Sequence, residues 1–182
     1  MVKKQILVFI IFLTPHLLFS QGVNSRISIL DTARLDSVLF SQGTIAVNSL
    51  LNRDFKTYMK YVHPLIIQHY GGDSIFSNYL LSSVEKADFT HLGSKLFLTH
   101  QYVRNEGYLQ SVLGHESTMK VEGGTLVTWG SMIALSTDDG FNWRFINALG
   151  FDVNTTRVDY PFVSEELKIF WHEKPVFIPD KK

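Results

Sequence analysis

Histidine and tyrosine side chains in the first half of the chain are the groups best suited to chemistry. His63 stands between Tyr61 and Pro64, at a point where proline forces the backbone to bend. A histidine in an apolar pocket can act as a general base, so His63 is the best single catalytic candidate. The alternative interpretation is that its ring bonds backbone groups at the bend, which is the more common role of such a residue.

A wider set of aromatic residues is suited to lining a pocket. Aromatic walls with a few polar tips fit a small apolar molecule. The same spacing is also typical of ordinary core aromatics, and that simpler interpretation stands beside the first. The pocket candidates are Tyr58, Tyr61, His63, His69, Tyr70, His100, Tyr102, Trp129 and Trp143.

Several other chemistries have no matching pattern in the sequence. His63 and His69 are six positions apart, whereas two metal ligands on one helix face need a spacing of three or four. We therefore predict neither a metal site nor a cofactor. The chain has no cysteine, which excludes thiol chemistry, and it lacks the G-x-S-x-G nucleophile motif and a glycine-rich phosphate loop.

The stretch LSTDDGFNWRF carries a local structural motif. Ser136, Asp138, Gly140 and Trp143 have the spacing S-x-D-x-G-x-x-W, which resembles the Asp-box of sialidases and related β-propellers. A propeller would need the motif repeated in several blades, and one copy is present here. We interpret it as a structural hairpin turn, in which Asp138 accepts backbone N–H groups and Gly140 takes a left-handed conformation.

Helical periodicity dominates the chain up to about residue 86. Apolar residues recur at helical spacing over residues 31–52, where Leu35, Leu39 and Leu50 share one face. This pattern predicts one long amphipathic helix.

Shorter helices are expected next. Pro64 ends one of them and fits the first turn of the following one. The glycine pair 71–72 ends that helix, and Asp73 or Ser74 is the expected cap of the next. The expected helices cover residues 55–62, 65–70 and about 73–84.

The second half of the core has strand patterns. Gly123 and Gly124 form a two-residue link that is typical of a hairpin. The strand after them has no clearly polar face, so we expect it to be central and covered on both sides. The predicted strands are residues 97–103, 108–113, 119–122, 125–135 and 143–148.

The N-terminal segment is predicted to be a secretory signal. Lys3 and Lys4 precede an apolar run over residues 6–19, and Ser20 offers a small residue for cleavage. We expect export to the periplasm or the extracellular space. The alternative is an uncleaved N-terminal anchor, although the run is short for a bilayer. Residues 21–182 then form a single domain, with a core at about 35–150 and a tail at 151–182 that folds back over the helices.

Charge limits the partners of the exported chain. Of the 17 basic residues, Lys3 and Lys4 leave with the signal, so 15 basic residues stand against 17 acidic ones, a net charge of −2. A protein with this net charge lacks the basic surface that is typical of nucleic-acid-binding proteins. It also gives no basic surface for membrane association after cleavage.

Helices followed by a long antiparallel meander resemble the nuclear transport factor 2-like superfamily of cone-shaped, SnoaL-like α+β domains. The similarity is carried by NSLLNRDFKTYMKYVHPLIIQHYGG and EGGTLVTWGSMIALSTDDGFNWRFINA, within about residues 35–150. The chain is also similar to small exported proteins of Bacteroidota. The resemblance implies an α+β fold with helices on a curved sheet, a pocket between them, and a homodimer as a typical assembly.

The functional hypothesis that follows is a binding domain. That superfamily contains isomerases, cyclases and non-catalytic domains, so its fold does not specify an activity. We expect an exported, non-catalytic domain that binds a small apolar molecule or a protein partner. The alternative is an isomerase- or cyclase-type enzyme with a pocket histidine, such as His63, as its general base.

Overall fold

The fold is α+β, as the sequence predicts, with helices first and a curved antiparallel sheet after them. The computed structural model describes residues 29–86, 88–147, 153–169 and 174–181. The predicted signal segment lies outside these residues. Within the described part of the chain, none of the helices combines the length and the apolarity that a membrane crossing requires.

The long amphipathic helix forms as its periodicity predicts. Helix α1 spans Ile29–Leu51 and buries Leu35 and Leu39 against the sheet. A side chain at Gly43 would collide with Leu113, so this glycine allows the helix to approach the sheet closely.

Three shorter helices follow: α2 at Phe55–Met59, α3 at Pro64–His69 and α4 at Asp73–Glu85. The Asp54 side chain caps α2 by accepting the Thr57 N–H at 3.1 Å. Pro64 occupies the first turn of α3, where a missing N–H has no cost. The expected side-chain cap of α4 is wrong: Gly72 holds that position with φ 101°, a conformation that glycine adopts readily.

In the described ranges the sheet contains six strands: β1 at Thr90–Leu98, β2 at Val103–Asn105, β3 at Tyr108–Val121, β4 at Gly124–Ser136, β5 at Arg144–Asn147 and β6 at Val176–Pro179. The main order is β1-β3-β4-β5, while β2 pairs with β3 and β6 pairs with β4. The predicted hairpin forms, but its two-residue link is one position earlier than expected: Val121 pairs with Gly124, so Glu122 and Gly123 form the turn, with Gly123 at φ 75°.

Two strand predictions are corrected by the structure. The strand expected at 97–103 lies earlier, because β1 ends at Leu98 and His100 takes a left-handed φ of 54° that breaks the extended backbone. The segments 108–113 and 119–122 belong to the single long strand β3.

Two clusters of buried residues pack against opposite faces of the sheet. On one face, α1 packs against Leu109, Leu113, Trp143 and their neighbours. On the opposite face, residues 160–169 pack against Val112 and Ile133. The central strands are therefore covered on both faces at this end. The tail was expected over the helices, but this part of it, which follows the short helix α5 at Val153–Asp159, covers the sheet instead.

Candidate functional site

A cavity of about 1360 Å³ opens between the three short helices and the sheet. Helices α2 to α4 form most of its wall, and the end of α1, the start of β1, the strand β5 and the end of α5 with Tyr160 form the rest. Its lining residues are Leu50, Leu51, Arg53, Tyr58, Val62, Leu65, Ile66, Gln68, His69, Tyr70, Phe76, Tyr79, Leu80, Ser83, Val84, Glu85, Phe89, Thr90, His91, Phe145, Asn147, Asp159 and Tyr160. Of the predicted pocket residues, Tyr58, His69 and Tyr70 are among them.

Three aromatic rings in mutual contact form one wall of this cavity. The Tyr70 ring lies 4.5 Å from the Tyr79 ring and 5.2 Å from the Phe76 ring, measured between centroids. Helix α4 supplies Phe76 and Tyr79 from adjacent turns, and the glycine turn before α4 brings Tyr70 beside them. The wall is therefore apolar along the rings and polar at the phenol tips.

The pKa values of three phenols that line this cavity are raised above the ordinary value for tyrosine. A hydrogen bond with Tyr79, followed by burial, raises the pKa of Tyr70. Burial raises the pKa of Tyr58 to about 12, and burial and the nearby Asp159 raise the pKa of Tyr160. Protonated phenols can both donate and accept hydrogen bonds, so the cavity offers polar anchor points for a ligand that is otherwise apolar.

His63, the predicted catalytic candidate, does not line this cavity. Its ring packs beneath the tail segment, 5.3 Å from the Phe162 ring and 5.9 Å from the Tyr108 ring. The residue is only 4% exposed, and its Nδ1 is buried without a hydrogen-bond partner. Burial and the nearby Arg144 lower the pKa of His63. At the bend it is the backbone N–H that bonds, to the Phe145 carbonyl at 3.0 Å, and not the ring.

The remaining pocket candidates lie elsewhere in the fold. Tyr61 packs beside the cluster under α1. The Tyr102 hydroxyl donates to Asp36 at 2.6 Å, and His100 Nδ1 lies 2.8 Å from the other oxygen of the same carboxylate. Trp129 bonds Glu116 across the sheet at 3.2 Å. These side chains brace α1 and the strands, so the structure does not gather them into one pocket.

The segment from Ser136 to Trp143 forms a closed, hydrogen-bonded turn. Ser136 Oγ donates to Asp138 Oδ1 at 2.8 Å and accepts the Gly140 N–H at 2.9 Å. Asp138 Oδ1 also accepts the Asn142 N–H at 2.8 Å. Trp143 is fully buried below the turn. Because the polar groups of this turn bond one another, it has a structural role.

Sequence reasoning missed two features of the site. Phe76 and Tyr79 lie in a stretch that was predicted only to be helical, since periodicity does not separate a cavity wall from a core. His91, Ser94 and His115 were not noticed as a group, because they come together only through strand pairing. Among the described residues, no group of three or more histidine, aspartate or glutamate side chains has a metal-binding arrangement.

No protein-family model, curated protein or solved structure matches this chain. Functional reasoning therefore rests on the geometry of the cavity and of the side chains around it.

Proposed function

We propose that this protein is an exported binding domain that holds a small, largely apolar molecule in the cavity between its short helices and the sheet. The observation that carries the proposal is the aromatic wall of Tyr70, Phe76 and Tyr79 beside an open volume of about 1360 Å³. Ligand pockets are typically concave and apolar, with a few polar groups that orient the ligand.

The charges around the cavity support a ligand with little net charge. The lining carries Arg53 together with Glu85 and Asp159, and its other polar side chains are hydroxyls, amides and two histidines. A strongly anionic ligand would meet two carboxylates with only one fixed cation. A molecule with an apolar body and one or two hydrogen-bonding groups fits this lining best.

Native mass spectrometry of the protein expressed from its full sequence in a bacterial host tests the proposal. We expect a reproducible adduct of small-molecule mass after gentle purification. Ser83 lines the cavity from α4, so Ser83→Trp should fill part of the volume and remove the adduct. Ser74 is exposed on the same helix outside the lining, so Ser74→Trp is the matched control and should retain the adduct.

A second variant tests the tyrosine wall itself. Tyr70→Phe keeps the ring and removes one hydroxyl, and we expect ligand affinity to fall by roughly 2- to 10-fold, the value of one hydrogen bond. A bare protein in every preparation, or an adduct that survives Ser83→Trp, would contradict the cavity proposal. A bare protein would direct the search to protein partners.

A further inference from the structure

Three side chains, His91, Ser94 and His115, form a hydrogen-bonded chain between neighbouring strands. Ser94 Oγ lies 2.9 Å from His91 Nε2 and 3.0 Å from His115 Nε2. A hydroxyl donates one hydrogen bond and can accept two, so at most one imidazole accepts the Ser94 proton and at least one donates its N–H to the Ser94 oxygen.

A break in the strand pairing makes this arrangement possible. Residues three apart in a regular strand point to opposite faces of a sheet. The pairing of β1 with β3 shifts between His91 and Gly93, which leaves Leu92 as an extra residue. That bulge turns His91 to the face that carries Ser94. Bulges of this kind are over-represented beside active sites, because they re-aim side chains.

His115 is the stronger candidate for a base toward Ser94. Burial, and then the neighbouring His91, lowers the pKa of His115, so its imidazole is neutral near pH 7 and can accept a proton. A serine hydroxyl becomes a nucleophile when a base within about 2.6–3.2 Å takes its proton. The 3.0 Å separation between Ser94 Oγ and His115 Nε2 meets that requirement.

Ser94 opens onto a second, smaller cavity of about 380 Å³ between α1 and β1. Its apolar lining is Phe40, Val47, Leu96 and Phe97, and its polar lining is Ser94, Thr44, Asn48 and Lys95. The Thr44 hydroxyl already donates to the Phe40 carbonyl, and the Lys95 ammonium already pairs with Glu116. The Asn48 amide is therefore the lining group suited to donate to the oxygen of a bound acyl group.

We propose that Ser94 is an acylatable nucleophile with His115 as its general base, acting on esters of short, apolar acyl chains. Ser94 Oγ bonds the acyl carbon, its proton passes to His115 Nε2, and the ester C–O bond breaks. His115 then protonates the leaving alkoxide, which departs as the alcohol. Water then attacks the acyl-serine and gives a proton to His115 Nε2, His115 passes that proton to Ser94 Oγ as the acyl C–O bond breaks, and the carboxylic acid leaves. His91 is a positioning residue that donates to the serine oxygen.

An alkyl fluorophosphonate tests the nucleophile directly on the whole protein. Attack by Ser94 forms an O–P bond and releases fluoride, which adds a defined mass to the chain. We expect one adduct per chain, and peptide mapping of the labelled wild-type protein should place it on Ser94. Ser94→Ala should abolish the label. Ser117 is paired with Ser94 across the strands, so Ser117→Ala is the matched control and should retain it.

The base assignment is tested with the same probe and with p-nitrophenyl butyrate. We expect His115→Gln to slow labelling and ester cleavage by about 10²-fold, the usual contribution of a general base. His91→Gln should slow both by less than tenfold. An unlabelled wild-type protein, a label on another residue, or equal rates in wild-type and His115→Gln proteins would overturn the proposal. Mapping on the wild-type chain gives this answer even if a variant does not fold.

Discussion

The two halves of the long β3–β4 hairpin differ in how they are covered. In the half formed by residues 109–113 and 131–136, which we call the covered half, every residue is buried. Helix α1 covers one face and residues 160–169 cover the other. In the half formed by residues 114–121 and 125–129, which we call the open half, every residue is partly exposed.

One buried polar side chain in the covered half, that of Gln110, joins the sheet to the tail. Gln110 is fully buried, donates to the Phe162 carbonyl at 2.7 Å and accepts the Ser164 N–H at 3.0 Å. These bonds satisfy the amide and hold the tail against the sheet, which an apolar residue at this position would not do. Stability is therefore concentrated in the covered half.

The open half and its margin carry the groups that remain available for chemistry. His115 lies on it, and Ser94 and His91 lie on the strand paired with it. The larger cavity meets the sheet at the start of that same strand and also at β5, which pairs with the covered half. We infer that one long hairpin separates stability from chemistry. Its covered half stabilises the fold, and its open half can change without unfolding the protein.

Matched tryptophan substitutions should give the largest difference in stability between the two regions. Trp143 is fully buried in the cluster under α1, so Trp143→Ala should lower the free energy of unfolding by about 3–5 kcal/mol. Trp129 is partly exposed in the open half, so Trp129→Ala should cost about 1 kcal/mol. Urea denaturation of both variants measures the difference. Equal losses would show that the open half is as important to stability as the covered half.

Alanine substitutions at two glycines compare the cost of a side chain at the two hairpin turns. Gly140 and Gly123 both have positive φ, 83° and 75°, so alanine at either site costs about 1–2 kcal/mol of backbone strain. At Gly140 the new methyl group would also collide with the buried Leu35, whereas Gly123 has no neighbouring atom within 4 Å.

We therefore expect Gly140→Ala to destabilise the protein by about 2–4 kcal/mol, since overpacking adds to the strain. Gly123→Ala should show the strain alone. Thermal unfolding followed by circular dichroism separates the two variants. A loss at Gly123 as large as that at Gly140 would mean that backbone strain, and not crowding under the turn, sets the cost.

These contrasts also explain how much of the fold can be predicted from sequence. The long helix follows from apolar spacing, and the turns at Gly123 and Gly140 follow from residues that tolerate positive φ. Such signals are local, so they survive without tertiary information. The strand β1 was misplaced because THLGSKLFL mixes glycine and polar residues and lacks clear alternation.

The candidate site was harder to predict, for the same physical reason. Tyr58, His69 and Tyr70 could be proposed from residue type, but the cavity that joins them depends on how three short helices pack. His63 looked like a pocket residue until the tail segment, distant in sequence, was seen to bury it. The contact of His91 with Ser94 depends on a bulge at Leu92. The position of such a register shift cannot be predicted from the residue types around it.

The smallest expected effect concerns pH and the burial of His63 in the covered half. Its pKa in the folded protein is lowered, chiefly by burial, whereas in the unfolded chain it returns to about 6.5. Between these two values the unfolded state binds more protons, so stability falls as pH drops below about 6.5. His115 contributes in the same direction from the open half.

His63→Phe keeps a ring between Tyr108 and Phe162 and removes the titrating group. We expect the free energy of unfolding of this variant to depend less on pH than that of the wild type between about pH 5 and 7. His115→Gln should remove a separate share, and the double variant should be the flattest. Urea denaturation at several pH values measures the slopes. A slope unchanged by His63→Phe would show that water reaches this ring, and that the covered half is less closed than its packing indicates.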